Sequence, residues 1–223
     1  MTFENRRLSP NLRNPRKLIP VLAFVVLASA GLSACAPLII GGAAMGALVA
    51  TDRRTSGAQL EDEGIELRTA SRIRDSLGER VHVNVASYNR QVLLTGEVPN
   101  AQDRQLVEQI ASRVENVRAT VNELAVLGNT TLTQRSSDAL VTGRVKASMV
   151  DAKDLFANAF KVVTERGTTY LMGRVTQREA DRATELTRGT SGVQKVIRIF
   201  EIISEDELAR LLPAPAPEDT KKK

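Results

Sequence analysis

The sequence predicts an α+β protein made of two tandem αββαβ units, each a three-stranded mixed sheet with two helices on one face. Three observations carry that reading. Apolar residues recur at helical spacing in some segments and alternate with polar ones in others. Helix and strand signals follow one another in the same order twice. The two copies also share a register marker: Leu94-Thr95-Gly96-Glu97-Val98 matches Leu171-Met172-Gly173-Arg174-Val175, and a Val-rich strand starts about twenty residues later in each, at Val117 and Val193.

Residues 1–34 precede the first unit as a separate element. Arg6, Arg7, Arg13, Arg16 and Lys17 lead into an apolar run from Leu18 to Leu32, and Leu32-Ser33-Ala34 stands before Cys35. A basic start, a short apolar stretch and small residues before a cut site make a secretory signal peptide. The fifteen apolar residues, broken by Pro20, are too few for a comfortable membrane span. Leu-Ser-Ala-Cys looks like the lipobox of bacterial lipoproteins, in which the Cys thiol is diacylated and becomes the mature N-terminus. Cys35 is the only cysteine in the chain, and a lone exported Cys needs such a role. Residues 35–60 then read as a lipid-anchored tether. Its part from Ala36 to Thr51 is small and apolar, with Gly42 and Gly46 in a G-x-x-x-G pair. That pair suits either helix packing in lipid or a membrane-proximal linker.

The first unit, 61–130, opens with a helix from about Glu61 carrying Ile65, Thr69, Ile73 and Leu77 every four residues and stopping at Gly78. Val81 to Val85 alternates as a strand, Ser87 to Arg90 makes a turn, and Gln91 to Val98 returns. Asn100 caps a helix with a Leu106, Ile110 and Val114 stripe, and Val117 to Leu127 is the third strand. In the second unit, 136–204, helix Ser137–Val150 precedes strand Ala159–Thr164, a turn over 165–168 and strand Thr169–Val175. Thr176 and Glu179 form a capping box for a helix from Gln177 to about Arg188, and strand Val193–Ile203 closes the unit. The hairpins are antiparallel, and the third strand returns through a right-handed helical crossover. Residues 205–223 give a short helix, capped by Ser204 and Glu207, and a Pro- and Lys-rich disordered tail.

Charge and composition narrow the function. The formal net charge is +5, but residues 1–34 hold five of the basic side chains and one acid, so the remaining 189 residues carry 26 basic and 25 acidic groups. A nearly neutral mature chain is no nucleic-acid binder by charge. Gly189-Thr190-Ser191-Gly192 matches the G-x-x-G of RNA-binding KH domains but sits between a helix and a strand, where a KH loop joins helices. With seven aromatics and no Trp, the cores must come from Val, Leu, Ile and Ala, and no disulfide can assist them. His82, the one histidine, falls on the polar side of its strand and reads as exposed. No Cys nucleophile and no cluster of His or carboxylates is evident, so no catalytic residue, metal site or cofactor is expected.

The helix over 137–150 is the candidate binding element. Val141, Val145 and Ser148/Met149 form a stripe fit for the second sheet. Leu140, Gly143, Ala147 and Val150 lie on another face, flanked by Arg144 and Lys146, with Lys153 following. A small apolar face bordered by cations suits an interfacial helix on an anionic membrane. Packing against the first unit, or simple solvation, accounts for the same pattern.

Two units of about 65 residues behind a lipobox resemble the BON domain family, and more closely the dual-BON outer-membrane lipoproteins of Gram-negative bacteria. The resemblance is carried by Phe160 to Gly167, by Tyr170-Leu171-Met172-Gly173-Arg174-Val175-Thr176-Gln177-Arg178-Glu179-Ala180 and by Ser191 to Val196, with Thr51 to Gly57 also similar. In the first unit Glu115-Asn116-Val117 replaces the usual Gly-Val. The resemblance implies a non-enzymatic lipoprotein of the outer membrane, facing the periplasm, that supports envelope integrity. It implies anionic phospholipid binding through the first helix of the second unit, hence through Leu140, Gly143, Arg144, Lys146, Ala147 and Val150, with Leu140 where relatives carry a Trp. Ala36 after the Cys fits onward sorting to the outer membrane. Partners implied are outer-membrane assembly or division-site proteins and weak self-association. A protein-interaction adaptor using an exposed helix or sheet edge is the alternative.

Overall fold

The computed structural model describes residues 52–211. Cys35, the leader, the tether up to Thr51 and the tail from Leu212 lie outside the described residues.

The elements run α1 (Ser56–Leu77), β1 (His82–Tyr88), β2 (Gln91–Val98), α2 (Ala101–Ser112), β3 (Ala119–Asn122), β4 (Ala125–Val126), α3 (Leu132–Asp151), β5 (Phe160–Glu165), β6 (Thr168–Thr176), α4 (Gln177–Gly189), β7 (Lys195–Ile203) and α5 (Glu205–Leu211). In each unit the second strand is central. It pairs antiparallel with the first strand and parallel with the strand that follows the crossover helix. This is the α+β tandem topology expected from the duplication.

Several boundaries move, each for a local reason. Helix α1 starts five residues early because Thr55 caps it, its side chain accepting from the Ala58 N–H at 3.1 Å. Helix α3 likewise starts at Leu132, where Thr131 accepts from the Gln134 N–H at 3.2 Å. The stripe on α2 is rotated by one position. Val107, Ala111 and Val114 are buried while Leu106 is 38% exposed, since the smaller side chains let the helix approach its sheet. The third strand of the first unit is split in two. Leu124 turns into the core at 3% exposure, and Asn122 Oδ1 accepts its N–H at 3.2 Å. Ser204 accepts from the Glu207 N–H at 3.1 Å, but the Glu207 carboxylate pairs with Arg174 rather than returning to the cap. The Thr176–Glu179 capping box forms as expected.

Both hairpins turn on two residues, not four. Asn89 and Arg90 have φ of 48° and 65°, and Arg166 and Gly167 have 52° and 73°. Paired positive φ values give the turn whose twist matches that of the strands. Three of these residues are not glycine, and each such residue costs about 1 kcal/mol in that region. The offset is a carboxylate from the first helix of the same unit. Asp62 accepts from the N–H groups of Asn89 and Arg90, both at 2.7 Å, from Ser87 Oγ at 2.7 Å and from Arg54 Nη1 at 2.8 Å. Asp138 accepts from the N–H groups of Arg166 and Gly167 at 2.8 and 3.0 Å. The register glycines have an equivalent physical basis. A Cβ on Gly96 would lie 2.1 Å from the His82 carbonyl oxygen, and one on Gly173 would lie 2.6 Å from that of Ala159.

Each sheet buries both faces. On one side Val92, Leu94 and Val98 meet Ile65, Ile73 and Leu77 of α1 and Val107 and Ala111 of α2. The second unit repeats this with Leu171 and Val175 against Val141, Val145 and Met149 of α3 and Ala180 and Ala183 of α4. On the other side the two sheets pack on one another. Ala86, Tyr88 and Leu93 of the first unit join Tyr170, Met172 and Ile199 of the second in one cluster. Alternating positions therefore serve two cores, which makes the central strands nearly continuous in buried residues.

The chain just before α1 locks this seam. Arg53 donates to both carboxylate oxygens of Glu179, at 2.7 and 2.5 Å, and to the Arg174 carbonyl at 2.9 Å. Both side chains are at most 3% exposed. Arg54 pairs with Asp52 and Asp62 and lies 4.3 Å over the Tyr88 ring.

Removing one member of a buried pair strands the other charge, so Arg53→Ala is expected to lose about 3–5 kcal/mol in urea unfolding. Acid should weaken the same region. Burial alone would raise the Asp62 and Glu179 carboxyls. The hydrogen bonds from Arg90, Ser87, Arg54 and Asn89 to Asp62, and those from Arg53 and Thr176 to Glu179, outweigh it and hold both below their ordinary values. A lowered folded-state value gives stability that is present above the ordinary carboxylate range, about pH 4, and is lost as pH falls through the lowered values. The urea midpoint should thus drop with acidification, and less steeply in Asp62→Asn than in the parent.

Candidate functional site

Helix α3 divides cleanly by burial. Asp138, Val141, Val145 and Met149 face inward, and of these the three apolar residues belong to the core of the second unit. Leu140 is 62% exposed and Val150 70% exposed, and Gly143, Arg144, Lys146 and Ala147 between them are exposed too. The structure therefore brings all six predicted residues onto one free surface. Packing against the first unit, the competing account of this face, is not what the chain does: the units meet through their sheets.

Two further large apolar side chains are exposed near the ends of α3. Leu132 is 78% exposed in the first turn, and Phe156 is 43% exposed just past the C-terminus of α3. A helix starting at Ser137 leaves Leu132 out, and Thr131, which caps the earlier start through the Gln134 N–H, is the sequence signal for it. Phe156 lies outside any periodic stretch, so no pattern marks it. Gly143 stands in open space, with nothing within 4 Å of where a Cβ would be.

Electrostatically the border is available for anions. Lys146 and Lys153 form no ion pair among the described residues. Arg144 reaches the Ser191 carbonyl at 3.4 Å and otherwise faces solvent. Lys146 and Lys153 can therefore meet phosphate without first breaking an ion pair.

One expectation is corrected. His82 is not an exposed strand histidine, and acids do cluster around it. Its polar strand face is the one that packs on the second unit, so the ring is 16% exposed and Nδ1 lies 2.9 Å from Glu97 Oε2. Glu97 and Glu165 are both buried, and the ligand atoms of all three residues lie within 4.8 Å of one another. The sequence reading missed this because the three residues come from strands of different units.

Among the described residues no helix is long and apolar enough to cross a membrane. Paired αββαβ units with the shared glycine register define the class. The BON domain family matches residues 62–128 and 137–203, and the chain belongs to it as a protein with two BON domains. It is similar to outer membrane lipoprotein DolP of Haemophilus influenzae, at 36% identity over 184 residues, covering 82% of this chain and 95% of that protein. With two BON domains and that extent of similarity, it is a dual-BON outer-membrane lipoprotein of the DolP type. It also resembles the 21 kDa hemolysin of Actinobacillus pleuropneumoniae, at 32% identity over 154 residues, covering 68% of this chain and 79% of that one. Among solved structures, CdsD, a structural protein of the type III secretion system of Chlamydia trachomatis, covers 65% of this chain and 96% of its own. Its identity is 13% and its TM-score 0.28, a likeness too low to inform function.

Gly143 gives a direct test of the free face. In an exposed helix interior Gly→Ala adds about 1 kcal/mol, and no neighbour obstructs a methyl group. Gly143→Ala should raise the urea midpoint accordingly. A loss of stability would show that the face is covered.

Proposed function

We propose that this protein, acylated at Cys35 and held at the inner leaflet of the outer membrane facing the periplasm, binds anionic phospholipid through the outer face of α3 and thereby supports outer-membrane integrity. The observation that carries the reading is the exposed strip of Leu132, Leu140, Gly143, Ala147 and Val150 on α3, bordered by Lys146 and Arg144 and followed by Lys153. Apolar side chains contribute about 25 cal/mol for each Å² removed from water. Each cation near an anionic surface adds about 1 kcal/mol. Neither term alone holds a domain on a membrane, but together they give weak, salt-dependent binding without acyl chains. The acyl chains at Cys35 supply the attachment, and α3 sets which surface of the second BON domain meets the headgroups.

A second reading rests on a different helix. Leu60 and Leu67 are 71% and 73% exposed on α1, seven residues apart, with exposed Glu63 between them. An apolar strip carrying an acid is unsuited to an anionic leaflet and suits a protein partner, such as outer-membrane assembly machinery.

Flotation with liposomes separates the two. Unacylated residues 52–223 should float with vesicles containing phosphatidylglycerol, should stay behind with neutral vesicles, and should bind less as salt rises. Leu140→Glu combined with Lys146→Glu should abolish flotation. Both side chains are exposed, so unfolding should shift by no more than about 0.5 kcal/mol. Unchanged flotation of the double variant would place binding on another surface. Absence of flotation, with a specific envelope protein crosslinked through Leu60 or Leu67, would favour the adaptor.

A further inference from the structure

We propose that His82, Glu97 and Glu165 form a binding site for one divalent transition-metal ion of zinc type, closing across the seam between the two BON domains. The donor set is one imidazole nitrogen and two carboxylates, a combination that zinc takes with a fourth position left for water. Hard ions such as magnesium and calcium prefer all-oxygen sets, so the nitrogen donor selects the borderline metals.

Placement carries the proposal. His82 opens β1, and its register partner Glu97 lies near the end of β2. Glu165 ends β5 in the other domain. Their ligand atoms already lie within 4.8 Å of one another. A tetrahedral ion with ligands at about 2.0–2.2 Å separates its donors by roughly 3.5 Å, so small side-chain rotations complete the site. Gly96 is what lets His82 come so near: a Cβ there would meet His82 Nδ1 at 3.4 Å as well as its carbonyl.

The second observation is Glu165 itself. It is 6% exposed, its hydrogen bond comes from Asn84 Nδ2 at 2.6 Å, and among the described residues no Lys or Arg pairs with it. Glu97, fully buried, is held by His82, by Thr130 at 3.2 and 3.3 Å, and by Arg166 at 3.5 Å. Arg166 is the longest of these contacts, made by a side chain that is 42% exposed. Two buried carboxylates thus face one histidine and one loosely held guanidinium. A metal ion would supply the missing charge and displace protons as it binds. It would also tie the linker residue Thr130, through Glu97, to both domains.

The chain has a single histidine, which makes the test direct. The untagged mature acylated protein in detergent, stripped with chelator, is titrated with zinc while the 15N resonances of the His82 ring are followed. The ring signals should shift and saturate at one equivalent, and thermal unfolding should move upward with zinc. Glu165→Gln keeps the shape and removes the charge, so it should fold and bind zinc at least tenfold more weakly. Ring signals unmoved by excess zinc, or a Glu165→Gln protein that binds as the parent does, would overturn the proposal. Zinc uptake that leaves His82 unchanged would do the same, because the metal would then sit elsewhere.

Discussion

The arrangement depends on two β-sheets packed through the faces that carry no helices. Each domain alone would leave that face wet, with Tyr88 and Leu93 exposed in one and Tyr170, Met172 and Ile199 in the other. Joining them buries these side chains in a common cluster and gives the central strands a core on either side. The same packing decides which surfaces stay free. Because sheets occupy the seam, the outer faces of α1 and α3 both remain exposed.

Duplication supplies the parts, and divergence gives them different work. Asp62 and Asp138 occupy the same place in their helices and hold the same hairpin turns. From there the outer faces part ways: α1 carries Leu60, Glu63 and Leu67, whereas α3 carries Leu140, Gly143, Lys146 and Ala147. The buried turn-holding carboxylates can stay fixed because they are fully engaged within each domain.

Much of this was legible from residue spacing. Helical and alternating patterns, the glycine register and the Thr176 capping box located the elements to within about five residues, and the exposed strip on α3 followed from its periodicity. What escaped were contacts between segments far apart in the chain. A polar residue on an alternating strand looks solvent-facing, yet Asn84, His82 and Glu97 look toward a second sheet that no local pattern announces. Arg53 falls within the tether by sequence, although its partner Glu179 lies 126 residues away. The α2 stripe went astray by one residue because Leu106 and Val107 are both apolar, and only packing against the sheet distinguishes them.

The position of Arg53 has a mechanical consequence. It precedes α1 by three residues, so a pull on the chain ahead of it enters the described fold at Arg53 before it reaches α1. There it meets a bidentate guanidinium–carboxylate link to the other domain before it reaches any helix end. Load is therefore shared between both halves of the molecule instead of peeling α1 from its sheet.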